Sequence, residues 1–206
     1  MSSTDFRIGV LGSGNGSNCE AIVRACAEGR IRGHVVLVLS DIADALILER
    51  ARKHRIDAQF IGPSQFKTKL EPELEGKAAR LLLEAGVRFV ALAGYMRVLK
   101  APLLHAFPGR IVNVHPSLLP AFPGLRAWEQ ALKHGVKLTG CTVHFVEENL
   151  DAGPIISQQA VPVLPNDSPE ALHQRIQQVE HQLYPEAIKL FAEGRLKLDG
   201  RTVRIL

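Results

Sequence analysis

Aromatic residues are scarce in this chain: eight Phe, two Tyr and one Trp make up 5% of 206 residues. No stretch interleaves them with Lys and Arg, so the net charge of +4 and isoelectric point near 9.1 do not describe a nucleic-acid surface. The densest basic run, Arg50 to Arg55, adjoins Glu49 and reads as a solvated helix face. An anionic small molecule is the more natural partner for so mild a charge. No run of about 18 uninterrupted apolar residues exists, which excludes a spanning helix of the usual kind. Met1-Ser2-Ser3-Thr4-Asp5 has no signal-peptide pattern, so a cytoplasmic location is expected, with no membrane partner. Cysteine is also sparse. Cys19 and Cys26 fall on one predicted helix, roughly 10 Å apart along its axis and too far for a disulfide. Cys141 and His144 are spaced like ligands, but on a strand residues three apart face opposite sides. Neither set suggests a metal site, and reduced thiols agree with the cytoplasm.

What is present is an ordinary globular composition, 46% apolar and 22% charged, long enough for one well-formed core. A single domain over residues 1–206 is expected. Arg7 to Leu11, Val35 to Leu39, Ala58 to Ile61 and Phe89 to Leu92 read as short strands, alternating with helical segments at Cys19 to Ala25, Ala45 to His54 and Ser64 to Ala85. Pro72 must start, kink or divide the last of these, and Gly86 is its C-cap. Further on, Arg126 to His134 is helical, and Thr139 to Val146 and Ile155 to Val163 form a hairpin-like antiparallel pair around an acidic loop, 147–154. Ser168-Pro169 opens a long helix to Gly194, with a bend expected at Pro185, and Asp199-Gly200 turns a terminal hairpin. Strand–helix alternation over the first 120 residues predicts an α/β fold: a doubly wound, mostly parallel, Rossmann-like sheet with an antiparallel C-terminal addition.

The stretch from Arg110 to Pro123 concentrates the chemistry. Ile111-Val112-Asn113-Val114-His115 alternates as a two-faced strand, so Asn113 and His115 point to the same side. Pro116 ends the strand there, and Pro116 or Pro120 is a candidate for a cis bond. An amide beside an imidazole at the carboxyl end of a strand suits an oxyanion donor with an acid/base partner, though such a pair also occurs as a satisfied structural contact.

Gly12-Ser13-Gly14-Asn15-Gly16-Ser17-Asn18 links the first strand to the first helix, a natural anion site. It has no Gly-Lys-Ser/Thr, and Ser17 replaces the last glycine of a dinucleotide fingerprint. Asp41, after the second strand, keeps a dinucleotide reading open beside that of a ligand-free turn. A phosphate monoester on Gly16, Ser17 and Asn18 is the preferred reading. Ala93-Gly94-Tyr95-Met96-Arg97-Val98-Leu99 reads locally as a packing turn with an exposed Arg97.

Four motifs in order, Gly14-Asn15-Gly16-Ser17-Asn18, Ala93 to Leu99, Asn113-Val114-His115-Pro116-Ser117-Leu118-Leu119-Pro120 and Leu150-Asp151-Ala152-Gly153-Pro154, make the chain resemble the phosphoribosylglycinamide formyltransferases from about Arg7 to Leu198. The Asn-x-His-Pro and Leu-Asp-x-Gly-Pro elements are shared by several formyl-transferring and formyl-hydrolysing relatives, whereas the glycine-rich loop points more narrowly to the glycinamide enzymes. The resemblance implies formyl transfer from 10-formyltetrahydrofolate, as co-substrate, to the amine of a phosphoribosylglycinamide in purine synthesis, without a metal. It implies that Asn113 and protonated His115 are donors to the oxyanion and that Asp151 holds His115 charged and relays protons. Asp151 alone would read as a turn residue. It further implies that Gly16, Ser17, Asn18 and Glu180 bind the ribonucleotide, and that Lys69, Met96, Arg97, Val98, Leu99 and Asn113 bind folate. The pterin would also meet the loop from Glu147 to Asp151. Lys69 stands where some members have arginine and loses the bidentate fork, while Glu180 alone would read as an exposed helix position. His144 reads as structural. Small-molecule substrates and a monomer or homodimer are expected. A formyltetrahydrofolate hydrolase, a formyltransferase for another amine, or a silent phosphometabolite-binding module are the other readings. No regulatory domain before Arg7 and no tRNA-binding domain after Leu206 is expected, which disfavours the first two.

Overall fold

The computed structural model describes residues 6–206; the non-leader reading of Met1-Ser2-Ser3-Thr4-Asp5 lies outside the described residues. The chain divides into two compact units, the first ending at Val112 and the second beginning at Asn113.

In the first unit β1 (Phe6–Leu11), α1 (Ser17–Ala27), β2 (Gly33–Ser40), α2 (Leu46–Lys53), β3 (Asp57–Phe60), α3 (Pro72–Glu84), β4 (Phe89–Leu92) and α4 (Ala101–Ala106) follow in order. Strand order is β3-β2-β1-β4, with every pair parallel. The chain winds outward from β1 to β3 and then returns to the other side of β1. The order therefore reverses between β1 and β4, and ligands bind beyond the carboxyl ends of strands at such a reversal. β1, β2 and β4 are largely apolar because both faces are covered, with Ile8, Leu11, Leu37, Leu39 and Phe89 fully buried, whereas the edge strand β3 is only half-buried. At Gly9 a Cβ would come within 2.4 Å of Leu82 Cδ2, so α3 packs directly on the β1 backbone.

The helix expected over Ser64–Ala85 is shorter, because only its second half is helical. Ser64 Oγ accepts the Phe66 amide at 3.1 Å and Glu71 Oε1 accepts the Gln65 amide at 2.7 Å, giving this backbone local alternatives to helix. The residue before Pro72 is also disfavoured in helix, and Pro72 opens α3 instead. Helix α4 has no counterpart in the sequence reading, since six residues are too few to show a period. Buried Glu75 on α3 accepts the Lys100 amide at 2.6 Å, supplying the cap that α4 lacks in its own sequence.

The second unit takes over within β5 (Ile111–His115) and continues through α5 (Ala127–His134), β6 (Leu138–Phe145), β7 (Ile155–Pro162), α6 (Pro169–Ala192), β8 (Leu196–Asp199) and β9 (Thr202–Ile205). Its strand order is β5-β6-β7-β9-β8. β6 and β7 pair antiparallel from Leu138↔Pro162 to His144↔Ile155, with a register shift at Val143/His144. β8 and β9 form the terminal hairpin, and β9 meets β7 in parallel at Ile155↔Thr202. The fold is thus α/β, with mostly parallel strands and antiparallel pairs toward the C-terminus. Ser168 Oγ caps α6 by accepting the Ala171 amide at 3.2 Å, and the helix is continuous through Pro185. Just before the cap, Asp167 takes two hydrogen bonds from Arg175 and one from the Leu164 amide, which together hold its carboxyl at about 2. That restraint on the entry to α6 is present above the ordinary carboxylate range and is lost as pH falls toward 2.

Candidate active site

β5 ends where Pro116 withdraws the next donor, and it leaves half-buried Asn113 and buried His115 near its carboxyl end. The segment that follows is anchored on β6 and β7. Thr142 Oγ1 donates to the Ser117 carbonyl at 2.7 Å and accepts the Leu119 amide at 3.0 Å, while Gln158 Nε2 donates to the Leu119 carbonyl at 2.9 Å. The Leu119–Pro120 bond is cis, whereas the bond to Pro116 is not. This anchored run delivers the Phe122 carbonyl to His115 Nε2 at 2.9 Å. A carbonyl only accepts, so Nε2 carries a hydrogen and donates. Nδ1 is left facing Asp151 Oδ2 at 3.5 Å, with both side chains nearly buried. The ring therefore offers its Nδ1 edge, rather than Nε2, to chemistry beside Asp151.

Asp151 reaches this place through the tight return of the acidic loop. At Gly153 a Cβ would overlap the Phe145 carbonyl, and the Phe145 amide donates to the Pro154 carbonyl at 2.9 Å. Only glycine permits that approach. Asp151 itself sits at φ 50°, a left-handed conformation that Asp tolerates better than most residues. Its Oδ2 also accepts the Gly124 amide at 2.8 Å. The carboxylate is thereby fixed from two sides.

His144, which the sequence reads as structural, lies within this cluster. Its Nδ1 donates to the Phe145 carbonyl at 2.8 Å, its Nε2 lies 3.4 Å from Asn113 Nδ2, and Asp151 Oδ1 is 3.9 Å away. Burial pulls His144 below its ordinary value, outweighing the Phe145 carbonyl and Asp151. A neutral ring with hydrogen on Nδ1 has a bare Nε2 that accepts from the Asn113 amide. The contact orients Asn113 with one N–H toward His144 and leaves the other for a ligand. Spacing along β6 could not reveal this, because His144 finds its partner on another strand. Among the described residues no group of three or more His, Cys, Asp or Glu is placed to hold a metal ion.

The remaining candidates divide between the units. In the first, Gly16 caps α1 at φ 79°, and a Cβ there would come within 2.7 Å of Ile47 on α2. Ser17 and Asn18 form the first turn, where backbone N–H groups and the helix dipole favour an anion. Asn15 Oδ1 accepts from Arg50 Nη2 at 2.9 Å, so the basic run is partly engaged with the loop. Asp41 is unsuited to a ribose: its side chain is 1% exposed and pairs with Arg97 at 2.6 Å. That finding removes the dinucleotide reading and corrects the exposed Arg97. Met96 is exposed and Val98 half-buried, but the Leu99 side chain is core, leaving its backbone for any ligand. Lys69 Nζ lies over the Phe66 ring, 4.6 Å from its centre. In the second unit Glu180 is buried on α6, which overturns its reading as an exposed position. Burial, with a smaller contribution from Glu180, pushes the Cys141 thiol up to about 12.

Comparison with known proteins sets this arrangement in context. The family described as Formyl transferase matches residues 6–188. The sequence is 43% identical over 196 residues to phosphoribosylglycinamide formyltransferase of Escherichia coli (strain K12), covering 94% of this chain and 90% of that protein. It is 45% identical over 200 residues to trifunctional purine biosynthetic protein adenosine-3 of Drosophila pseudoobscura, covering 96% of this chain. The chain spans only 14% to 20% of the length of such trifunctional relatives. A crystal structure of glycinamide ribonucleotide transformylase 1 from Symbiobacterium toebii superposes with a TM-score of 0.95 at 55% identity, covering 100% of this chain and 96% of that one.

Proposed function

Because the chain belongs to the formyl transferase family, we propose that it transfers the formyl group of 10-formyltetrahydrofolate to the amine of 5-phosphoribosylglycinamide. The products are formylglycinamide ribonucleotide and tetrahydrofolate. The observation that carries this reading is the buried pair of His115 Nδ1 and Asp151 Oδ2 at 3.5 Å, on the same unit as an amide donor already oriented by His144.

In this reading Gly16, Ser17 and Asn18 bind the phosphate and Glu180 the rest of the ribonucleotide, the backbone of residues 96–99 with Lys69 binds the folate, and Asn113, His115 and Asp151 carry the reaction. The amine attacks the formyl carbon, forming a carbon–nitrogen bond and a tetrahedral intermediate whose oxygen becomes negative. Asn113 Nδ2–H and the protonated His115 ring stabilise that charge. Asp151 Oδ2, 3.5 Å from the Nδ1 edge of that ring, places a negative charge beside it. The bond to the folate nitrogen then breaks, and the proton lost by the attacking amine reaches the leaving nitrogen through Asp151 and a water.

The test is a steady-state assay in which both substrates are varied. Wild-type protein is expected to form the formylated ribonucleotide. Ser17→Ala should raise the KM for the ribonucleotide by about ten-fold, the scale of one hydrogen bond to a charged group, while leaving that for the formyl donor nearly unchanged. Equal weakening of both substrates would make the loop general scaffolding, and no formylated product at all would overturn the function.

A further inference from the structure

One buried carboxylate has no part in the formyl-transfer chemistry, yet it lies at the centre of the first unit's ligand edge. Asp41 directly follows β2. Its Oδ1 accepts from Ser13 Oγ and its Oδ2 from Arg97 Nε, each at 2.6 Å. The same Ser13 oxygen accepts the Met96 amide at 2.9 Å, and the Ser13 amide donates to the Gly94 carbonyl at 3.1 Å. Arg97 goes on to donate through Nη1 to the Phe66 carbonyl. One side chain thus ties together the glycine-rich loop after β1, the turn after β4 and the 61–71 segment that carries Lys69.

A buried ion pair is weak evidence for stability, because desolvation offsets most of its attraction. What short charge-assisted bonds do supply is fixed geometry. Here the geometry is fixed at the reversal of strand order between β1 and β4. We propose that Asp41 is a positioning residue that holds the phosphate loop and the folate-facing turn in one arrangement, and so sets the affinity for both substrates together. This rests on the assignment of residues 16–18 and 96–99 to those substrates. Asp41 has both oxygens engaged by Ser13 and Arg97, so it acts through those residues. Arg97, already neutralised by Asp41, contributes its backbone rather than its charge to the folate subsite.

Asp41→Asn keeps an acceptor for Ser13 and removes the charge opposite Arg97. The KM values for ribonucleotide and formyl donor should both rise by about ten-fold, while kcat changes by less than about three-fold. A rise confined to one substrate, or a fall in kcat with both KM values unmoved, overturns the proposal. If Asp41→Asn does not fold, Ser13→Ala carries the same test, because it breaks the link between Asp41 and the Met96 amide without stranding a charge. Adding Arg97→Met to Asp41→Asn relieves the stranded charge and should raise Tm without restoring either KM. Restoration of both would make buried charge, not positioning, the cause. Active wild-type protein with unmoved KM values in Asp41→Asn defeats only this proposal, whereas wild-type protein that forms no formylated ribonucleotide defeats the substrate assignment beneath it.

Discussion

Replacing His115 with alanine is expected to lower kcat by about 10²–10⁴-fold, the range found when a positioned acid or base is lost. The size of the effect follows from how completely the ring is held. Its Nε2 is fixed by the Phe122 carbonyl at 2.9 Å, and its Nδ1 faces a carboxylate that is itself fixed by the Gly124 amide. A water entering the truncated site could donate to Asp151, but it would carry no positive charge toward the oxyanion. The KM for the formyl donor should stay near its wild-type value, since the pterin contacts are assigned elsewhere. Single-turnover kinetics would separate this loss from binding, and near-wild-type turnover would remove His115 from the mechanism.

Asn113→Ala comes second, with an expected loss of about 10²–10³-fold in kcat, the cost of one oxyanion donor. The donor is preorganised by a neighbour with only one way to bond. His144 gives its Nδ1 hydrogen to the Phe145 carbonyl and, kept neutral by burial, can only accept at Nε2. Truncating Asn113 removes the oxyanion contact and leaves that acceptor without its donor. Equal falls in kcat and kcat/KM would identify an interaction made only in the transition state. A change in KM alone would make Asn113 a ground-state binding residue.

How far this site is legible in the sequence depends on which atoms build it. Asn113 and His115 are readable because period-two alternation and Pro116 place both on one side of a strand end. The central strands of the first unit are readable as short apolar runs, unbroken over Val35 to Leu39 and Phe89 to Leu92, and Phe89–Leu92 has the predicted bounds. Asp151 comes into view only through the family resemblance, since nothing local distinguishes it from a turn residue. The Phe122 carbonyl and the Gly124 amide have no residue signature at all, because every residue carries such groups. The orienting role of His144 is not legible from its own strand, because its partner Asn113 lies on the neighbouring one. Arg97 looked like an exposed charge and Asp41 kept a dinucleotide reading open, and their long-range pairing with each other settles both. Ser64 to Glu71 failed as helix because side-chain bonds to nearby backbone, invisible to periodicity, supplied an alternative.

The account stands or falls on the acceptor of the formyl group. A positioned amine has a high effective molarity compared with bulk water, so the site should discriminate strongly between them. The direct measurement is formate release from 10-formyltetrahydrofolate by the purified protein, with and without phosphoribosylglycinamide, alongside formation of the formylated ribonucleotide. The account predicts very slow formate release with the donor alone, and rapid transfer with little formate once the ribonucleotide is added. Fast formate release that the ribonucleotide leaves unchanged would contradict it and make the protein a hydrolase.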